Sequence, residues 1–251
     1  MKEKADGELD IRFERENPTN VGLRIFELVS KTPKKTSMKN LSEHVEEILS
    51  KISVASILDL PLVYESIDLL RRQPNITHAL INRYKSLNKK SYDQRMLAIQ
   101  VIGEIRSNEG VEFLNTVVWQ DLPKAEETEA ALSARDQEEI IQSKALHGIT
   151  YLRSSATFKE TIRVMMEHPS LHVRVEAIDA YMWNKNDDEK EIKRLYKLLP
   201  QEMHKYIERP RFHRNMDPKA FDRGLTIWLE KWGNLDTEKD EDIHEDNVGG
   251  R

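Results

Sequence analysis

The densest run of chemically capable side chains lies between Tyr206 and Arg223, YIERPRFHRNMDPKAFDR. There Arg209, Arg211, His213, Arg214, Lys219 and Arg223 alternate with Tyr206, Phe212 and Phe221. Cations interleaved with aromatic rings supply phosphate neutralisation and base stacking, the two demands of nucleic acid. Glu208, Asp217 and Asp222 dilute that charge. The residues favour an ordered connection whose arginines pair with carboxylates and whose aromatics anchor it on the last helices, still able to present a specific contact surface.

His168 and His172 stand four apart, the spacing that puts two imidazoles on one helix face as metal ligands. Pro169 and Ser170 between them argue for a turn, so both are read as exposed boundary histidines. His204 and His213 join a site only through tertiary contact. The sequence has no phosphate loop of the form G-x-x-x-x-G-K-[ST], no G-x-G-x-x-G, no G-x-S-x-G and no H-E-x-x-H. With no cysteine there is no disulfide, thiolate site or thiol nucleophile. No catalytic residue, metal ligand or cofactor is assigned.

These side chains need elements to hold them, and apolar spacing supplies helices. Nine glycines and nine prolines are too few for a turn-rich β-sandwich. Leu58, Leu62, Ile67 and Leu70, then Ile76, Leu80, Ile81, Tyr84 and Leu87, form two helical stripes split by RRQPN, where Pro74 suits a helix start. A second hairpin runs through Met96, Ile99, Val101, Ile102 and Ile105, turns at RSNEG with Asn108 and Gly110 supplying the geometry, and continues through Val111, Phe113, Leu114, Val117 and Val118. A third joins Ile140, Ile141, Ala145, Ile149 and Leu152 across RSSA to Phe158, Ile162, Met165 and Met166, both methionines being read as packing. The fourth spans Val173 to Trp183, breaks at NKNDD and resumes through Ile192, Leu195, Leu198 and Leu199.

The hairpins superpose. Arg95, Ala98 and Val101 share a spacing of three with Gln142, Ala145 and Gly148, and with Arg174, Ala177 and Ala180. The last two sets are 32 residues apart; the first two are 47 apart, the excess falling in the charged stretch 121–139, read as an inserted loop or exposed helix. Counting 32 back from Arg95 reaches Val63, with Ser66 and Leu69 following. Small residues thus recur where each first helix approaches its neighbour. Leu41, Val45, Ile48, Leu49 and Ile52 share a face suited to an amino-terminal cap, and Phe221, Leu225, Trp228 and Leu229, after Asp217-Pro218, to a carboxy-terminal one.

SLHVRVEAIDAYMW resembles the first helix of HEAT-like repeats of the short bacterial kind, with QSKALHGITYL and QRMLAIQVIGEI as weaker copies across roughly residues 55 to 200. The resemblance implies an all-α fold, a right-handed α-solenoid of about four helical hairpins with helical caps. It also implies that Arg174 bonds the neighbouring unit. HEAT-based iron hydroxylases carry His-Glu pairs in successive first helices; the matching positions are Leu146-His147 and Val175-Glu176, which does not carry a diiron site over.

The organisation expected is a flexible segment 1–20, one solenoid domain 21–235 and an acidic disordered tail 236–251. Of 44 acids and 39 bases, that tail holds seven and two, leaving 37 of each in a neutral body with no global field for DNA or anionic membrane. The function implied is a non-enzymatic scaffold that binds a protein through its concave face of second helices and the 206–223 segment, as an adaptor or an inhibitor. Trp119, Lys159, Arg163, Arg194 and Lys197, with Arg209, Arg211 and Arg214, are the candidate contacts. The alternatives are a nucleic-acid-binding relative of the HEAT-like DNA glycosylases and a HEAT-like lyase or modifying enzyme. No run of apolar residues approaches the ~20 of a bilayer span, so the expectation is a cytoplasmic protein, or an exported one whose signal peptide has been removed.

Overall fold

A computed structural model describes Val45, Leu49, Ile52, Ile67, Asp68, and residues 70–124, 132–211 and 216–233. The segment 1–20 expected to be flexible, the tail 236–251 expected to be disordered, Leu41 and Ile48 of the expected amino-terminal cap, and Arg214 lie outside these residues. Every regular element among them is helical: α1 (Ile76–Ser86), α2 (Tyr92–Ile105), α3 (Asn108–Val118), α4 (Ala134–Thr150), α5 (Ser155–Glu167), α6 (Leu171–Asn184), α7 (Glu189–Leu198), the short α8 (His204–Ile207) after a 3-10 turn, and α9 (Pro218–Trp232). The fold is all-α. None of these helices is long and apolar enough to cross a membrane.

The chain divides into two units, Met1–Ile105 and Arg106–Arg251. In the first, α1 packs on α2, and Val45, Leu49 and Ile52 are helical and buried, as their shared face requires. In the second, α4 packs on α3, α5 and α6, while α6 also meets α5 and α8. The expected second hairpin supplies α2 to one unit and α3 to the other.

Short polar residues start these helices. Ser107, Ser133, Ser154, Ser170, Asp188 and Asp217 each accept a backbone N–H from the first turn of α3, α4, α5, α6, α7 and α9, with reciprocal capping boxes at Ser133–Asp136 and Ser154–Thr157. Left-handed backbone is equally localised. Asn75 (φ 62°) precedes α1, Arg106 (58°) precedes α3, Arg153 (52°) precedes α5, and Asn186 (53°) and Asp187 (50°) precede α7. All five are in the turn that enters a second helix. The RSNEG turn is therefore made by Arg106 and Ser107. Asn108 and Gly110 are already inside α3, because the Ser107 cap begins the helix earlier than glycine content suggests.

The three aligned positions behave alike. Arg95 donates to Tyr84 Oη (2.9 Å) and the Lys89 carbonyl (3.4 Å), Gln142 to the Gln120 carbonyl (2.7 Å), and Arg174 to the Met165 carbonyl (2.8 Å). Each reaches back to the preceding helix or to the residues just after it. Ala98, Ala145 and Ala177, one turn on, are fully buried. A second set of arginines reaches forward to the end of a first helix. Arg71 donates to the Ile105 carbonyl (3.0 Å), Arg106 covers the Tyr151 ring (5.7 Å), and Arg153 donates to Asn184 Oδ1 (3.1 Å).

Three expectations change. Residues 134–139 of the supposed insert are the start of α4, with Glu138 buried, because the Ser133 capping box nucleates the helix there; residues 125–131 lie outside the described set. His168 is buried, since a backbone carbonyl and a backbone N–H satisfy both ring nitrogens. Met166 is 48% exposed while Met165 is buried, the apolar stripe of α5 admitting only one of two adjacent residues.

Candidate partner-binding face

Trp119 caps the carboxy end of α3 and is half-buried. Its Nε1–H donates to Glu160 Oε1 (2.7 Å), the Arg163 guanidinium lies 4.4 Å from its ring centroid, and the His168 ring is tilted against it at 5.5 Å. Arg163 also pairs with Glu160 (3.3 Å) and Glu167 (3.2 Å). Indole, guanidinium and carboxylate thereby form one amphipathic platform, with Lys159 exposed a turn earlier on α5. His168 supports it from beneath: Nδ1 accepts from the Ser170 N–H (3.1 Å), so the proton sits on Nε2, which faces the Val118 carbonyl (3.0 Å). Burial holds this imidazole below its ordinary pKa.

Arg194 belongs to a second cluster. Tyr181 Oη donates to Glu191 Oε2 (2.6 Å), and Arg194 Nη1 reaches both Tyr181 Oη (3.2 Å) and Glu191 (3.4 Å). Lys185 pairs with Glu191 (3.6 Å) and stacks over Phe158 (4.2 Å), whose ring meets Tyr181 edge-on. Burial, and then the Glu191 carboxylate, push the Tyr181 phenol up to about 12. The Tyr181 hydrogen bond in turn holds Glu191 below the usual carboxylate range. This cluster links Arg194 on α7 to Phe158 on α5, beside Lys159. Lys197 is exposed one turn further along α7.

The 206–211 stretch folds back on α6. Arg211 is buried; its guanidinium meets Asp179 (2.8 Å) and Asp187 (3.3 Å) and donates to the carbonyls of Tyr206 (2.9 Å), Ile207 (3.2 Å) and Arg209 (3.1 Å). Arg209 stays exposed and reaches the same Asp179 at 3.4 Å. Burial pushes the Asp179 carboxyl up, with Arg211 and Arg209 opposing it. Next to it, a cavity of about 260 Å³ is lined by Ile192, Ile207, Pro210, Met216 and Phe221 together with Arg209 and Arg211. Glu208 is a further junction, taking donors from Tyr196, Lys231 and the Trp232 indole (3.0 Å).

Among the described residues the candidate contacts therefore fall into three groups, with Arg211 turned inward and Trp119, Lys159, Arg163, Arg194, Lys197 and Arg209 at least partly accessible. One pair escaped the sequence reading: His147 Nε2 lies 3.0 Å from Glu176 Oε2 and bridges α4 to α6. The signal available for it was the comparison with the His-Glu pairs of HEAT-based hydroxylases, which singles out Leu146-His147 and Val175-Glu176 on successive first helices. The His147 hydrogen bond keeps Glu176 below its ordinary pKa. Among the described residues no group of three or more histidine and carboxylate side chains is placed to hold a metal ion.

No protein-family model, no curated protein and no solved structure matches the chain.

Proposed function

We propose that the chain is a protein-binding scaffold of the HEAT-repeat type, its hairpins stacked as a right-handed α-solenoid and its second helices, with the 206–223 segment, presenting the partner surface. One observation carries this reading. Arg95, Gln142 and Arg174 each bond backward from equivalent places, while Arg71, Arg106 and Arg153 each reach forward, as repeated modules that depend on their neighbours require. Such interlocking leaves the second helices free to vary their outer side chains. Lys159, Arg163, Arg194 and Lys197 stand on second helices and Trp119 at the end of one, while Arg209 and Arg214 belong to the 206–223 segment.

The test is affinity capture by the full chain against a variant carrying Lys159→Ala, Arg163→Ala, Arg194→Ala and Lys197→Ala, with helicity checked by circular dichroism. A partner protein recovered in stoichiometric yield and lost from the folded variant supports the reading. A partner retained undiminished by the variant overturns the proposed surface. Salt-sensitive binding of duplex DNA that falls with Arg209→Ala and Arg214→Ala points instead to the nucleic-acid alternative.

A further inference from the structure

Helix α7 carries Lys190, Lys193, Arg194 and Lys197, a row at i, i+3, i+4 and i+7 that is exposed throughout. The carboxylates facing it neutralise little. Glu191 is committed to Tyr181, Lys185 and Arg194, and Glu189 meets Lys193 only at 3.8 Å between two largely solvated side chains. Lys190 and Lys197 form no ion pair among the described residues. The end of α9 is fastened beside this row: Lys231 and Trp232 bind Glu208, and Glu208 binds Tyr196, the residue between Leu195 and Lys197 on α7. The chain beyond Gly233 thus departs from the neighbourhood of the lysines.

Three residues further on, outside the described set, begins the run Asp236, Glu238, Asp240, Glu241, Asp242, Glu245 and Asp246, interrupted by the single base Lys239. Extended chain spans up to about 3.5 Å per residue, so this run has the reach to follow a helix the length of α7, about 15 Å. Tethering raises the local concentration of its carboxylates into the millimolar range, where weak multiple attraction suffices.

We infer that the acidic run 236–246 is an intramolecular ligand of the α7 cation row and occupies the Arg194–Lys197 part of the partner face until an acidic partner displaces it. The contact stands without the partner-binding reading; only its competitive role rests on that reading.

Zero-length carbodiimide coupling on the full chain, at low protein concentration and low salt, followed by peptide mapping, tests the contact directly and without any partner. The expected result is intramolecular amide formation from Asp and Glu of 236–246 to Lys190, Lys193 and Lys197, in several-fold excess over Lys144 and Lys219. It should be lost at about 1 M salt, where screening acts within about 3 Å. Yields spread evenly over the surface lysines, or products found only in covalent dimers, overturn the inference. A chain with the seven acids changed to Asn or Gln leaves α7 intact. In it, acetylation of Lys190, Lys193 and Lys197 should accelerate relative to Lys144, and unchanged relative rates count against the contact.

Discussion

Arg209 and Arg211 share one carboxylate, Asp179, and burial separates their roles. Removing the buried partner strands a charge away from water, which costs several kcal/mol, whereas an exposed pair contributes little. Arg211→Ala should therefore lower unfolding free energy by about 3 kcal/mol or more, and Arg209→Ala by less than about 1 kcal/mol, in urea titrations at neutral pH. Equal effects would contradict the burial of Arg211. The pairing of these arginines with carboxylates was legible, because acids stand close to them in composition. Which arginine turns inward was not, since Asp179 and Asp187 lie 24 or more residues away and only the fold brings them near. Indole and guanidinium at Trp119 are accessible from one side, and Trp119→Ala should weaken capture of a partner by about 2 kcal/mol if the platform is an anchor, read by titration calorimetry.

Helix periodicity and small-residue spacing made the elements readable, and α1 to α7 stand where apolar stripes placed helices. Turns were harder. Arg106 and Arg153 adopt left-handed backbone that costs an L-residue roughly 1–2 kcal/mol, an assignment no propensity would favour for arginine. The recurrence of Arg-Ser 47 residues apart, matching the interval of the aligned positions, was the available clue. Arg153→Gly should leave stability level or raise it by up to about 1 kcal/mol, relief of the backbone outweighing the exposed bond to Asn184. Arg153→Pro, with φ fixed near −65°, should cost about 3 kcal/mol or more. Thermal melts of the two variants distinguish this left-handed turn from an ordinary flexible loop, which would accept both.

Across the whole molecule, charge placement sets the response to acid. His168 is held below 6.5 by burial and Glu176 below 4.5 by its bond from His147, so in each case the unfolded chain takes up a proton first. Their contributions are complete above the unfolded values and disappear as pH falls: first His168 below about 6.5, then Glu176 below about 4.5. Asp179, raised by burial, works in the opposite sense. Unfolding titrations from neutral pH to about 5 should show a decline that His168→Gln flattens, and a level wild-type profile there would exclude a neutral buried imidazole. The all-α class was evident from composition, while the two units were not: a continuous sequence pattern runs from α2 into α3 across their boundary. Finally, three ties fasten the end of α3 to the helices after it: Gln142 on the Gln120 carbonyl, Trp119 on Glu160, and His168 on the Val118 carbonyl fifty residues upstream. All of them bypass the link 121–133. A peptide bond severed there, or a foreign domain spliced in, would leave both flanks clasped together, making that link the place where the second unit best tolerates interruption.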